Sequence, residues 1–383
     1  MGEKFPYLTY VHFRKIDFLR GIAILTVFQA HFIWYYFPAY AGVVGVDAGH
    51  PASRVFLLNL LPRTIGWAGV TIFILVSGFL LHLGYLRDQE RFTLRGFYSR
   101  RFWRVYPPYL LVLLIFCLFL EKGLFTTRVG WWTFVLHVFS LQNLSMRTYF
   151  SVDPTFWCLA AEVQLYVLYA IFLFGRARWG VKAMTGLTFL VSVGWQAIGM
   201  RVNGLGNLPT WANAAVSLWV IWAMGAFLGE AWHRGQGLRA ALTRRDALIV
   251  AGGLAFACLL APLNALLQYA AAIICLLLMN GFLHGKATLQ AWPARLIVTI
   301  GICSFSIFLI HQPLLQPMFD LLDDHAPHYR GYRVVNGVIV SLLIFLLSYA
   351  MYRLVELPSI ALGGRLRRRA RSGQHTQDQK DDA

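Results

Sequence analysis

Long apolar runs separated by short basic loops set the pattern of this sequence. The runs cover 16–37, 64–86, 105–121, 129–144, 157–174, 182–200, 211–232, 246–262, 265–284, 296–319 and 335–355. A hydrocarbon core about 30 Å thick takes about 20 helical residues at 1.5 Å each, so most of these runs are long enough to cross one. Inside lipid, a helix satisfies its own backbone hydrogen bonds within a single segment. The predicted fold is therefore all-α, a polytopic integral membrane protein. The run at 129–144 differs from the rest, being short and interrupted by His137, Gln142 and Asn143. If every run crossed, the basic head (Lys4, Arg14, Lys15) and the basic tail (Arg365, Arg367, Arg368, Arg369, Arg371) would lie on opposite sides. Treating 129–144 as a re-entrant or interfacial segment leaves about ten transmembrane helices with both termini cytoplasmic. The loops carrying Arg87 to Arg104, Arg176 to Lys182, Arg234 to Arg245 and Lys286 to Arg295 then share the inner side. Residues 1–364 form one transmembrane domain, and the polar, basic tail 365–383 is expected to be disordered.

Composition sharpens this picture. The 383 residues are 58% hydrophobic and only 13% charged, where a soluble domain carries about a quarter charged residues. The first apolar run is too long for the core of a cleavable leader. A net charge of +17 could point to nucleic acid, but the basic residues sit in loops between spans, which is a topology signal. The five cysteines (Cys117, Cys158, Cys258, Cys275, Cys303) all fall in apolar runs without metal-ligand spacing. They read as packing residues, and no metal site is predicted.

A few polar side chains within the runs carry the candidate chemistry. In IDFLRGIAILTVFQAHFIWYYF, Arg20 and His31 are eleven residues apart, close to three helical turns. They share a face, roughly 16 Å apart along the axis. A buried ionisable group in a span is costly and usually lines a cavity or pathway. In YSRRFWRVYPPY, Arg100, Arg101 and Arg104 fall at i,i+3 and i,i+4 spacing, a guanidinium face suited to phosphate. Pro107 and Pro108 are expected to break or kink the helix beyond that face. The run PTFWCLAAEVQLYVLYA places Glu162 inside the membrane with Tyr166 one turn later, on the side expected for His31. A carboxylate orienting His31 would make it a general base. SFSIFLIHQPLL sets Ser304 and His311 on one face. Gly69, Ser77 and Gly78 read as small packing residues. Glu230 reads as a structural partner of a nearby arginine or His233, and Glu356 as a partner of Arg353 or another loop arginine.

Taken together in this order, these pieces resemble the acyltransferase-3 family of integral membrane acyltransferases, bacterial proteins that modify cell-surface glycans. The resemblance rests on Arg20 and His31 in the first span, VTIFILVSGFLL, YSRRFWRVYPPY, the Trp157-to-Glu162 segment FWCLAAEVQLY, SFSIFLIHQPL and YRLVELP. It departs at Thr71, where many relatives carry aspartate, and at Ala161 and Val163, which flank Glu162 without a second acid. The resemblance implies a cytoplasmic acyl-CoA donor, acetyl-CoA before others, and a glycan or lipid-linked glycan acceptor at a bacterial inner membrane. Arg20, Arg100, Arg101 and Arg104 would hold the CoA phosphates. His31 would be the catalytic base and Glu162 its orienting partner, with Trp157, Tyr166, Ser304 and His311 supporting the substrates. Some relatives append a hydrolase-like domain that these residues do not contain, which implies direct transfer or a separate partner. The competing expectation is a transporter or flippase using Arg20, His31 and Glu162 as an intramembrane relay.

Overall fold

The computed structural model describes residues 10–36, 54–121, 123–203, 214–241, 243, 245–246, 263–325 and 332–381. The fold is all-helical, with no strand among the described residues. The helices are α1 (Tyr10–Tyr36), α2 (Arg54–Arg87), α3 (Leu94–Phe119), α4 (Arg128–Val138), α5 (Phe156–Asn203) and α6 (Ala215–His233). They continue as α7 (Leu263–His284), α8 (Trp292–Ile302), α9 (Ser304–His325), α10 (Tyr332–Met351) and α11 (Leu357–Asp381). Six helical stretches among the described residues are long and apolar enough to cross a membrane, or seven if the bent pair α8–α9 is one span. The expected run 246–262 lies outside the described residues but for Asp246.

The centre of the bundle is α6, which is buried almost along its whole length against α2 and α5. Glycine makes this packing close. A side chain at Gly78 would run into the Trp222 carbonyl of α6, and one at Gly225 into the Leu75 carbonyl of α2. Lipid gives helices no hydrophobic drive to associate, so contact area gained by close backbone approach is what holds such a pair. Polar ends reinforce it. Glu230 of α6 accepts from Arg176 at 2.9 and 3.1 Å, from Arg234 at 2.5 Å, and lies 3.1 Å from His82 Nε2. This clamp ties α2, α5 and α6 together. The arginine pairing expected for Glu230 is present, and His82 is an addition to it.

Several local expectations are corrected. Helix α3 carries through Pro107 and Pro108 without ending, so the arginines of YSRRFWRVYPPY belong to the same helix as the span after them. The runs 157–174 and 182–200, by contrast, are the two separate helices expected: within α5 they meet at Gly180, whose φ 81° and ψ 165° are non-helical, a conformation glycine adopts without steric cost. The run 296–319 is broken at Cys303, with α8 and α9 at 79°. The break follows from packing: Gly301 presses on the Asp17 carbonyl of α1 and Gly21 on that of Ile297, which fixes the direction of α8. The helix α11 runs on over 365–381. Its many arginines are good helix formers, which lets the packed part of α11 extend.

The 129–144 run forms α4, 11 residues long, followed by a tight turn at Gln142–Leu144. At about 1.5 Å per residue such a helix covers roughly half a hydrocarbon core. Its polar residues are tied inward. Gln164 of α5 donates to the Ser140 carbonyl at 2.8 Å and to Asn143 Oδ1 at 2.7 Å. The Tyr109 hydroxyl donates to the His137 carbonyl at 2.8 Å.

Candidate active site

A cavity of about 420 Å³ opens among α1, α2, α3, α5 and α9. Arg20 and Asp17 reach it from α1, Arg101 and Arg104 from α3, Glu162 and Tyr166 from α5, and Ser77 from α2. Ser304, Phe305 and Phe308 line it from the start of α9. Adjacent residues on a helix are turned by about 100°. Arg101 and Arg104 therefore face the cavity together, while Arg100 is exposed and does not line it. The expected face of three arginines is a pair on α3, completed by Arg20 across the cavity.

Three carboxylates share the field of these guanidinium groups: Asp17, Glu162 and Glu356. Each has its own tether. Glu162 Oε1 accepts from the Tyr166 hydroxyl at 2.7 Å and from Ser77 Oγ at 3.4 Å. Glu356 Oε2 accepts from Ser306 Oγ at 2.8 Å. Among the described residues the one ion pair in this group is Arg20–Asp17, at 3.8 Å. Arg101 lies over the Phe97 ring and faces Tyr166, and its Nε is buried with no hydrogen-bond partner. Ser304 Oγ, fully buried, also has none. Ser304 begins α9, whose first intrahelical bond is Ile307 N to the Cys303 carbonyl at 3.0 Å. Arg101 Nε and Ser304 Oγ are thus buried polar atoms of cavity-lining residues without a protein partner.

The histidines lie beyond its other end. Val27 and Phe308 line the cavity, and His31 and His311 come four and three residues after them on α1 and α9. His31 Nδ1 is 2.9 Å from His311 Nε2. No hydrogen bond among the described residues joins His31 to Glu162, so the expected carboxylate–histidine pair is replaced by a histidine–histidine pair. Glu162 belongs with the arginines instead. Trp157 does not line the cavity; its ring packs against Trp67 at 5.6 Å and parallel to Tyr149 at 6.1 Å.

Over residues 13–353 the chain matches a family described as an acyltransferase domain. That is most of the chain, and it includes every residue that lines the cavity. The chain belongs to the acyltransferase-3 family. Comparison with curated proteins and with solved structures returned no match. This membrane acyltransferase thus contains both a cavity lined by arginines and a buried histidine pair. Neither the family nor the geometry supports the transporter or flippase alternative.

Three participants escape the sequence pattern. Asp17 is legible in principle, since an aspartate three residues before Arg20 is an i,i+3 partner on one helix face. Glu356 is expected to pair with Arg353 or another loop arginine; Arg353 is exposed, and the buried Glu356 lies instead in the field of Arg104 and Arg20. The turn at Tyr352–Glu356 is π-helical, and the extra residue rotates Glu356 inward to Ser306. Ser77, expected only to pack, is a donor to Glu162.

Proposed function

We propose that this acyltransferase moves an acyl group, acetyl before others, from acyl-CoA to a hydroxyl of a cell-surface or lipid-linked glycan. The observation that carries this reading is a cavity with three weakly paired guanidinium groups at one end and a histidine beyond the other. Buried donors without acceptors are costly, and an anionic phosphate chain satisfies several at once. In this reading Arg20, Arg101 and Arg104 bind the CoA phosphates, and Glu162, Asp17 and Glu356 hold those arginines in place. The pantetheine arm runs along α1 past Val27 and brings the thioester to His31. His31 removes the proton of the acceptor hydroxyl, whose oxygen bonds to the acyl carbon. The C–S bond breaks, and CoA leaves as the thiol, taking the proton from His31. General base catalysis of this kind contributes roughly 10²–10⁴-fold. The basic loops favour both termini and the CoA side being cytoplasmic, and the resemblance to bacterial surface-glycan acyltransferases favours a bacterial inner membrane.

The test is transfer from radiolabelled acetyl-CoA by the purified protein with glycan acceptors. The reading expects acceptor-dependent label transfer and release of CoA thiol, lost in His31→Ala. Equal thiol release by folded His31→Ala and wild type would refute it.

A further inference from the structure

The hydrogen bonds around the histidine pair define which nitrogen of His31 is basic. His311 is fully buried in α9, and its Nδ1 lies 3.0 Å from the Ile307 carbonyl and 2.9 Å from the Phe308 carbonyl. Carbonyl oxygens only accept, so Nδ1 of His311 carries a hydrogen. In the neutral ring its Nε2 is then an acceptor with a lone pair. That Nε2 is the atom 2.9 Å from His31 Nδ1. The bond between the rings is therefore donated by His31 Nδ1–H, and His31 keeps its lone pair on Nε2.

We infer that His311 is a positioning residue that locks His31 in its Nδ1–H tautomer and so makes His31 Nε2 the proton-accepting atom. The inference rests on the reading of His31 as the base and adds what sets its tautomer. The anchoring is rigid because two carbonyls of one helical turn hold His311, and Phe28 and Phe308 pack on its ring at 6.2 Å each. The usual orienting group of a catalytic histidine is a carboxylate, which also stabilises the imidazolium. A neutral histidine supplies the acceptor without the charge. Since His311 touches neither donor nor acceptor substrate in this scheme, its loss acts on the chemical step and not on binding.

Two measurements test this. The first is ¹⁵N chemical-shift analysis of histidine-labelled protein in nanodiscs, with the His31 and His311 signals assigned by their loss in His31→Ala and His311→Gln. The expected result is a protonated Nδ1 and an unprotonated Nε2 on both rings. A protonated Nε2 on neutral His31 overturns the inference, whatever the activity shows. The second is steady-state kinetics of His311→Leu and His311→Gln. Leucine removes the acceptor, and kcat is expected to fall roughly ten- to a hundredfold, a part of what a general base contributes, with the KM for acyl-CoA within about twofold. Glutamine returns an oxygen acceptor near the Nε2 position and is expected to recover most of kcat. Unchanged kcat in folded His311→Leu, or equal losses in both variants, overturns the inference. Wild-type turnover by His31→Ala would instead remove the base reading itself, and the tautomer measurement keeps the two failures apart.

Discussion

Arg100, Arg101 and Arg104 share one helical turn, yet only the last two line the cavity, and this gives a contrast that no single variant provides. Replacing Arg101 or Arg104 by alanine removes a guanidinium from the cavity wall while Glu162 keeps its bonds from Tyr166 and Ser77. Replacing Arg100 removes the same charge from the same helix at an exposed position. A charge-assisted hydrogen bond contributes about 1.5–3 kcal/mol. At about 1.4 kcal/mol per tenfold, losing one such contact to phosphate raises the KM for acyl-CoA roughly ten- to a hundredfold. The effect on kcat is expected to be small, since uniform binding is lost and His31 lies roughly 16 Å along α1 from the level of Arg20. Lysine at 101 or 104 is expected to restore part of the affinity, because it keeps the charge and loses the planar fork. The assay is initial-rate titration of acyl-CoA in detergent, with melting temperatures confirming that each variant is folded. Arg100→Ala is expected to match wild type. An unchanged KM for Arg101→Ala and Arg104→Ala, or an equal rise for Arg100→Ala, would refute the assignment of the cavity to CoA phosphates.

The scaffold makes further predictions. Gly78→Ala forces a methyl into the Trp222 carbonyl and is expected to destabilise by about 1–3 kcal/mol, read as a lower Tm in detergent, whereas Gly186→Ala, with nothing within 4 Å, is expected to be neutral or better. Glu230→Gln uncouples Arg176 and Arg234 from a buried carboxylate and is expected to cost about 3–5 kcal/mol while leaving the KM for acyl-CoA unchanged in the folded fraction. Asp153, outside the spans, is pushed up to about 7 by burial, although Thr155 N and Oγ donate to its Oδ1 at 2.7 Å each. Its folded-state value lies above the unfolded one, so stability is lost as pH rises between about 4 and 7; Asp153→Asn is expected to raise Tm at pH 8, abolish that slope, and change little at pH 4. Cysteines introduced at Ser99 and Ser372 are expected to resist an impermeant thiol reagent in intact cells, and labelling of either would contradict the cytoplasmic placement of the arginine loop and tail.

The legible part of this protein is what depends on period and composition alone. Arg20 and His31 stand out because a membrane helix tolerates few polar residues, and their spacing puts them on one face. Glu162 stands out for the same reason. What pairs with each of them depends on how separate helices are rotated and offset, which periodicity does not encode. His31 therefore meets His311 rather than Glu162, and Glu162 joins the arginines. Arg100 and Arg101 are equally polar neighbours, and only the packing of α3 decides which one turns inward. The break at Cys303 carries no proline, and Gly301, two residues before it, marks a close contact with α1 that the sequence alone does not show. The π-turn that buries Glu356 is likewise a one-residue change of phase, invisible to a 3.6-residue pattern. The first of these irregular points shapes the cavity, since α9 begins there with Ser304, and the second turns Glu356 inward to Ser306.

The central claim is that acyl-CoA lies in this cavity with its phosphates at the arginines and its acyl group at His31. Photo-crosslinking with a short diazirine acyl-CoA, followed by mass spectrometry of the labelled peptides, tests it directly. The expected adducts fall on the α1 segment around Val27 to His31 and on the α9 segment around Ser304 to His311, and excess unlabelled CoA suppresses them. Adducts confined to other helices, or adducts that survive CoA competition, would contradict the account.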